Sequence, residues 1–339
     1  MGGRLDPAVA RVRARVRAAL SDLADAFPGG LVLVGFSGGA DSLALLSATC
    51  FEAPKAGLGA GAVVVDHGLQ PESADVAARA AAQAAALGAA PVRVERVEVG
   101  SGGGPEAAAR TARHAALGRV ADELGAVCLL LAHTRDDQAE TVLLGLARGS
   151  GARSLAGMRP VTGRVRRPLL TVPRADTLAA CAAERLSWWD DPHNRDDAHA
   201  RARVRHRLLP AMEDQLGPGI RDALARSADL LRVDADALDE LAGDLLAAAT
   251  AGVPGKEDSG VQLEVDVLLG APAALRHRAL RAAAIDAGCP AGDLAAVHVA
   301  AVDRLVTGWH GQRGVDLPGR VLASRSRGSL RLAARPVTG

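Results

Sequence analysis

Cysteine is sparse and scattered in this chain. Cys50, Cys128, Cys181 and Cys289 lie far apart, with no Cys-x-x-Cys among them, which argues against a zinc ribbon, an iron–sulfur cluster or a disulfide framework. No run approaches the roughly 20 apolar residues that a membrane span requires. The N-terminal segment sets Arg11, Arg13, Arg15 and Arg17 in an Ala/Val pattern, without the apolar core and cleavage site of a secretory signal. The expected setting is therefore cytoplasmic, with no membrane. These four arginines are expected on a solvated helix. Lysine occurs only at 55 and 256, so arginine carries the basic charge. Beside abundant Ala and Gly this looks like a coding bias, and arginine content alone says nothing about nucleic acid. No Gly-Lys-Ser/Thr is present, which excludes the phosphate loop of kinases and GTPases.

With 339 residues, the chain has room for two domains. Its net charge of +1 hides a segregation: residues 159–207 carry 11 Arg against 6 acids, the last forty carry 7 against 2, and 213–244 carry 9 acids against 3 Arg. Local basic faces beside an acidic helical stretch suit a large anionic partner.

The apolar run Leu31-Val32-Leu33-Val34 leads into Gly35-Phe36-Ser37-Gly38-Gly39-Ala40-Asp41-Ser42 and then Leu43-Ala44-Leu45-Leu46. A glycine pair between a buried strand and a helix aims backbone N–H groups and the positive end of the helix dipole at an anion. Ser37 and Ser42 add hydroxyl donors, and Asp41 adds a carboxylate suited to Mg²⁺ beside phosphates.

Beyond the loop, strands and helices alternate. Ala62–Val65 reads as a strand ending at Asp66-His67-Gly68, followed by a helix near 75–87 closed by Gly88. Val92–Val99 alternates like a half-exposed strand, Gly100–Pro105 reads as a flexible loop, and a helix is expected over 106–124. Val127–Leu131 is a further buried strand, ending at Ala132-His133. This rhythm predicts an α/β fold with a doubly wound parallel sheet, its polar clusters at Ser37, Asp66 and His133 converging at the strand C-termini. From about 213 onward the strand rhythm stops. Helices are expected over 213–250, 271–287 and 292–307, with a Gly/Pro-rich break at 252–260. The tail, Gly314–Val321 then Ser329–Leu332, reads as a short β-hairpin. The boundary is placed near residue 215, giving domains 1–215 and 216–339.

The second strong signal is His133-Thr134-Arg135-Asp136-Asp137-Gln138-Ala139-Glu140-Thr141. A helix starting near Asp136 puts three carboxylates in its first turn, Asp137 and Glu140 on one face. Acids at a helix start are favoured by the dipole alone. Three of them beside a histidine at a strand end exceed what capping requires and suit Mg²⁺ or a substrate ammonium group. Weaker signals are Arg110 and Arg113 on one helix, the basic runs Arg166-Arg167 and Arg201–Arg207, and Trp188-Trp189, read first as packing and second as a base-stacking surface.

Together these segments resemble the tRNA(Ile)-lysidine synthetases, one family of the ATP pyrophosphatases. The resemblance is carried by Ser37–Ser42, Val65–Ser73, Ala109–Arg113, Ala132–Thr141, Arg148–Gly151, Gly157-Met158, Arg167–Leu170, Asp191–Asn194 and Arg201–Pro210. It implies an adenine nucleotide α-hydrolase-like catalytic domain, 1–215, and a smaller, mainly helical tRNA-binding domain, 216–339. It implies an ATP- and Mg²⁺-dependent carbon–nitrogen ligase joining free L-lysine to C-2 of the wobble cytidine of a CAU-anticodon tRNA(Ile). The product, lysidine, switches decoding from AUG to AUA. By the resemblance, Ser37, Gly38, Gly39, Ala40, Asp41, Ser42, Asp66 and His67 bind the nucleotide, and Asp41 and Asp136 hold the metal. Asp41, His133, Asp137, Glu140, Arg113 and Arg205 carry the chemistry, with Asp137 and Glu140 holding the lysine ammonium group. Thr134 stands where a His or Asn is usual in the family, and Ala202 where an Asn is common. Oligomeric state stays open, a homodimer being one alternative. Sulfur transfer would want paired cysteines, an amidotransferase a glutaminase domain, and a pure RNA binder no acidic cluster.

Overall fold

The computed structural model describes residues 5–68, 72–97, 105–149, 151–191, 196–251 and 260–335. The end of the Val92–Val99 strand, most of the Gly100–Pro105 loop, Pro192–Asn194 and most of the 252–260 break lie outside them. The chain divides into two compact units, Met1–Leu231 and Arg232–Gly339. The expected boundary near 215 falls at the end of a helix, Leu209–Leu216.

In the first unit, α1 (Pro7–Ala26), β1 (Leu31–Gly35), α2 (Ala40–Glu52), β2 (Gly59–Asp66), α3 (Ser73–Ala86), β3 (Val92–Arg96), α4 (Pro105–Glu123) and β4 (Cys128–Leu130) come first. There follow α5 (Arg135–Ala147), α6 (Ala152–Leu155), β5 (Val161–Thr162), β6 (Val165–Arg166), α7 (Arg174–Ala183), α8 (Ala200–Arg203), a π-type turn at Val204–Leu208, and α9 (Leu209–Leu216). The six strands form one sheet in the order β3-β2-β1-β4-β6-β5. All pairings are parallel except β5 with β6. The chain works outward from β1 to β3, then crosses back to place β4 on the other side of β1. That reversal is the switch point at which open α/β sheets bind ligands.

Both faces of the central strands are covered, which explains why they read as unbroken apolar runs. Val32 and Val34 of β1 and Cys128 and Leu130 of β4 point into a core with α1, α2, α3 and α7. Leu33, Leu129 and Leu131 point the other way, against Leu117, Val120 and Ala121 of α4. The edge strand β3 is largely half-exposed or exposed.

Of the N-terminal arginines expected on a solvated helix, Arg11, Arg15 and Arg17 are exposed and Arg13 is half-buried. Val9, Val12, Val16, Leu20 and Leu23 bury one face of α1, and the arginines beside that face meet acids on the neighbouring helices. Arg13 pairs with Glu184 at 2.5 Å and lies over the Phe51 ring, Arg17 pairs with Glu52 at 2.9 Å, and Arg11 pairs with Asp176.

A long helix, α10 (Ile220–Ala251), contains the division between the units. The second unit continues with β7 (Gly260–Glu264), α11 (Val265–Leu269), α12 (Ala273–Asp286), α13 (Ala296–Thr307), β8 (Val315–Leu317), β9 (Val321–Ser326) and β10 (Ser329–Ala334). The expected hairpin is part of a four-stranded antiparallel sheet, β7-β10-β9-β8. β8 pairs with β9 rather than with β10, because Gly319 and Arg320, both at positive φ, turn the chain back before β9. β7, distant in sequence, completes the sheet by pairing with β10. Leu263, Val321, Ala323, Leu330 and Leu332 close a core against α12 and α13. Among the described residues no helix is long and apolar enough to cross a membrane.

Leu33 is 0 % exposed and sits between β1 and α4. Leu33→Ala is expected to cost about 2–5 kcal/mol, read as a fall in the denaturation midpoint.

Candidate active site at the switch point of the sheet

Strand β1 ends at Gly35, and the chain must turn into α2 within four residues. Gly38 makes this possible at φ +80°, a left-handed conformation that favours glycine. No side chain caps α2, leaving the positive end of its dipole for an anion. The two serines act differently from the donor pair expected. The buried Ser42 hydroxyl donates to Gly39 O at 2.9 Å, accepts from the Ser37 N–H at 3.2 Å and sits 3.1 Å from Ser37 Oγ. Ser42 thus holds the shape of the loop. Asp41 pairs with Arg174 at 2.9 Å and accepts from the Thr177 hydroxyl, both on α7. Burial raises its pKa, against Arg174 and Thr177, and the nearby Asp137 adds to the rise.

Across the switch point, β4 delivers His133 and the start of α5. Thr134 caps α5 in a capping box with Asp137. Its N–H and hydroxyl donate to Asp137 Oδ2 at 2.8 and 2.9 Å. The unusual threonine therefore orients the neighbouring acid. Asp137 Oδ1 accepts from Arg205 at 2.9 Å, and Arg205 also grips Glu140 at 2.5 and 3.0 Å. Arg201 lies 3.3 Å from Glu140. Ala202, between these two arginines in sequence, is buried.

The three acids divide. Asp137 and Glu140 share Arg205, whereas Asp136 accepts from the Arg174 backbone N–H at 2.8 Å and pairs with Arg221 at 3.2 Å. Burial pushes both buried acids up. In Asp137 the Arg205 charge and the Thr134 N–H outweigh it, and the pKa is lowered. In Glu140 burial prevails over Arg205, helped by the Asp137 charge, and the pKa is raised. Two adjacent carboxyls with opposite shifts are equipped for different tasks.

The other side of the site is cationic. Burial holds His133 far down, to about 3, with Arg167, Arg110 and Arg113 adding to the effect and Asp137 opposing it. His114 falls to about 4 through burial and then Arg110, Arg113 and Arg167. His67 is lowered by burial and Arg113, and Arg113 itself by burial, Arg110 and Arg201. Asp66 accepts from the Gly68 N–H at 2.9 Å, which shapes the turn carrying His67. The Nδ1 atoms of His67 and His133 are buried without a hydrogen-bond partner, an arrangement that invites a ligand. The clusters expected at Ser37, Asp66 and His133 do converge.

Two contributors escaped the sequence reading: Arg174 and Thr177 open an ordinary amphipathic helix, and no local pattern marks them. Trp189, read there as packing or base stacking, donates its backbone N–H to Gly38 O at 2.9 Å. Arg201 was visible only as part of a basic run. Gly157-Met158 gains a reason as well. The Gln138 amide bonds both backbone groups of Met158, at 2.8 and 3.0 Å, and a Cβ on Gly157 would lie 2.6 Å from it.

A parallel sheet with this loop at its switch point defines the PP-loop class of ATP-using enzymes, and the PP-loop domain family model matches residues 12–212. The TilS substrate binding domain model matches residues 263–331. The tRNA(Ile)-lysidine synthase of Thermobifida fusca is 54 % identical over 97 % of this chain and 98 % of its own length. That of Leifsonia xyli is 56 % identical, over 86 % of each chain. The chain belongs to the tRNA(Ile)-lysidine synthase family. Its fold is shared with a U34-tRNA thiolase from Methanococcus maripaludis at TM-score 0.55 and 20 % identity, covering 66 % of this chain and 80 % of that one.

Glu140→Ala leaves the half-buried Arg205 with Asp137 as its one acid among the described residues and Arg201 without one, and a loss of about 3 kcal/mol is expected in denaturation. His114 binds a proton below 6.5 when unfolded but only near 4 in the fold. Its contribution to stability is complete above pH 6.5 and is lost as the pH falls toward 4. His114→Gln should flatten that part of a plot of Tm against pH.

Proposed function

We propose that this chain ligates free L-lysine to C-2 of the wobble cytidine of CAU-anticodon tRNA(Ile), using ATP, and so forms lysidine and changes decoding from AUG to AUA. The relatives' activity and the PP-loop domain support an ATP-dependent ligase. The observation that carries the lysine assignment is the buried Asp137–Glu140 pair, selective for a cationic group, a short distance from Asp41 of the phosphate-binding loop.

In the first step, the cytidine O-2 attacks the α-phosphate of ATP, the bond to the β-phosphate breaks, and pyrophosphate leaves. The uncapped start of α2 and the Ser37–Ser42 backbone receive the negative charge that builds on the leaving group. Gly38, Gly39 and Ala40 allow the close approach, while Asp66 and His67 border the nucleotide. Mg²⁺ binds through one or two carboxylates plus substrate phosphates and neutralises their charge. Asp41, which the loop carries, would hold the ion by giving up the Arg174 and Thr177 contacts that now engage its two oxygens. Asp136, also expected as a ligand, has both oxygens engaged by the Arg174 N–H and Arg221.

In the second step, the lysine Nε attacks C-2, the C-2–O bond breaks and AMP leaves. Asp137 stays anionic and has lone-pair capacity left on Oδ1 for the ammonium group. Glu140, whose pKa is raised, is the carboxyl suited to take the proton that Nε must lose before it can attack. Arg205 holds the two acids in register. A neutral His133 donates one hydrogen bond to the adenylate phosphate, and Arg113 offers its charge to a phosphate or to the lysine carboxylate. Residues 1–215 carry this chemistry and 216–339 bind the tRNA, in the cytoplasm. Sulfur transfer is disfavoured, because burial pushes the Cys128 and Cys181 thiols up to about 12.

The test is incorporation of labelled lysine into a CAU-anticodon tRNA(Ile) transcript with ATP and Mg²⁺, after alkaline removal of ester-linked lysine. A methionine tRNA with the same anticodon is the control. Stable, ATP-dependent label in the isoleucine tRNA alone is expected. Pyrophosphate release driven by a different acceptor, with no lysine label, would sink the assignment. Asp137→Asn should lower lysine incorporation by about 100-fold or more while retaining pyrophosphate release.

A further inference from the structure

A groove of about 400 Å³ lies beside the phosphate-binding loop, lined by Gly38, by Val76, Arg79 and Gln83 of α3, and by Trp188 and Trp189. The chain has three Trp, three Phe and no Tyr, yet Trp188 is left 38 % exposed here. The backbone on both sides of that indole is tied down. The Gln83 amide donates to Ser187 O at 2.7 Å, and the Trp189 N–H donates to Gly38 O at 2.9 Å. An aromatic face held open in this way loses little freedom when something stacks on it. Arg79 is exposed at the same groove and supplies a charge complementary to a phosphodiester.

We propose that this groove takes an unpaired nucleobase of the RNA substrate next to the reacting cytidine, stacked on Trp188 with its phosphate on Arg79. The proposal rests on the lysidine reading for the identity of the RNA. Three observations favour RNA as the occupant. The groove shares Gly38 with the loop that serves the reacting nucleotide, an indole is a stacking surface for any base, and a guanidinium stands where a backbone would pass.

The experiment measures binding of a fluorescein-labelled CAU anticodon stem–loop, and separately the KM for ATP, in the full-length wild type and in Trp188→Ala, Trp188→Phe and Arg79→Ala. Trp188→Ala is expected to weaken RNA binding about tenfold, within the range of base–aromatic stacking, with the KM for ATP unchanged. Trp188→Phe should restore most of that loss. Arg79→Ala should reduce the slope of log affinity against log salt by about 1. RNA binding indifferent to Trp188→Ala overturns the proposal and leaves the indole a packing group. A raised KM for ATP with RNA binding intact overturns it in favour of the adenine ring as occupant. Lysine incorporation by the wild type, assayed on the same preparation, separates the two readings. Its absence sinks the substrate assignment, whereas its presence with an indifferent Trp188→Ala sinks the groove alone.

Discussion

Glu140 is completely enclosed, and an ionised carboxylate there is tolerable only because Arg205 donates to both its oxygens while Arg201 lies close to Oε2. Desolvating such a group costs several kcal/mol unless a partner of opposite charge is fixed beside it. That requirement ties the start of α5 to a segment some 65 residues later in the chain. Arg201 and Arg205 are four residues apart across α8 and the π-type turn, which lets both reach one carboxylate. The same guanidinium reaches Asp137, and Thr134 takes the other oxygen of that acid. Loop, helix start and basic run are thereby held in a single arrangement.

The consequence is a site divided by charge. Asp41, Asp137 and Glu140 gather on one side, and Arg110, Arg113 and Arg167 surround neutral histidines on the other. Neither half alone would suit a reaction between a phosphorylated nucleotide and an amine. Side by side at the switch point, the cationic half and the uncapped start of α2 have the charge that suits phosphates, and the anionic half the charge that suits an ammonium group. The opposite shifts of Asp137 and Glu140 come from small differences in their partners, since both are buried and both touch Arg205.

Much of this was legible in the chain. The central strands showed as apolar runs because both faces of the sheet are covered, and the loop showed because a strand-to-helix turn of that shape needs Gly38. The acids of α5 stood out by their spacing. Among the N-terminal arginines Arg13 misled, since an Arg/Ala/Val helix reads alike whether an arginine meets water or an acid of a neighbouring segment. The tail misled in another way. The sequence placed two strands there, at 314–321 and 329–332, and missed β9 between them, because the pairing depends on turns at Gly319 and Arg327 and on the remote β7.

The sequence by itself determined the kinds of element, their order, and the residue types whose chemistry suits phosphate and ammonium. Each of these is written in a local period, a turn residue or a short spacing. Only the tertiary structure decided which acid takes which partner: Asp41 with Arg174 and Thr177, Asp136 with Arg221, Asp137 and Glu140 with Arg205. Those pairs join residues 65 to 136 positions apart, except in being brought together by the crossover of the sheet they share no pattern. No local signal encodes a contact that exists only once β4 has returned beside β1.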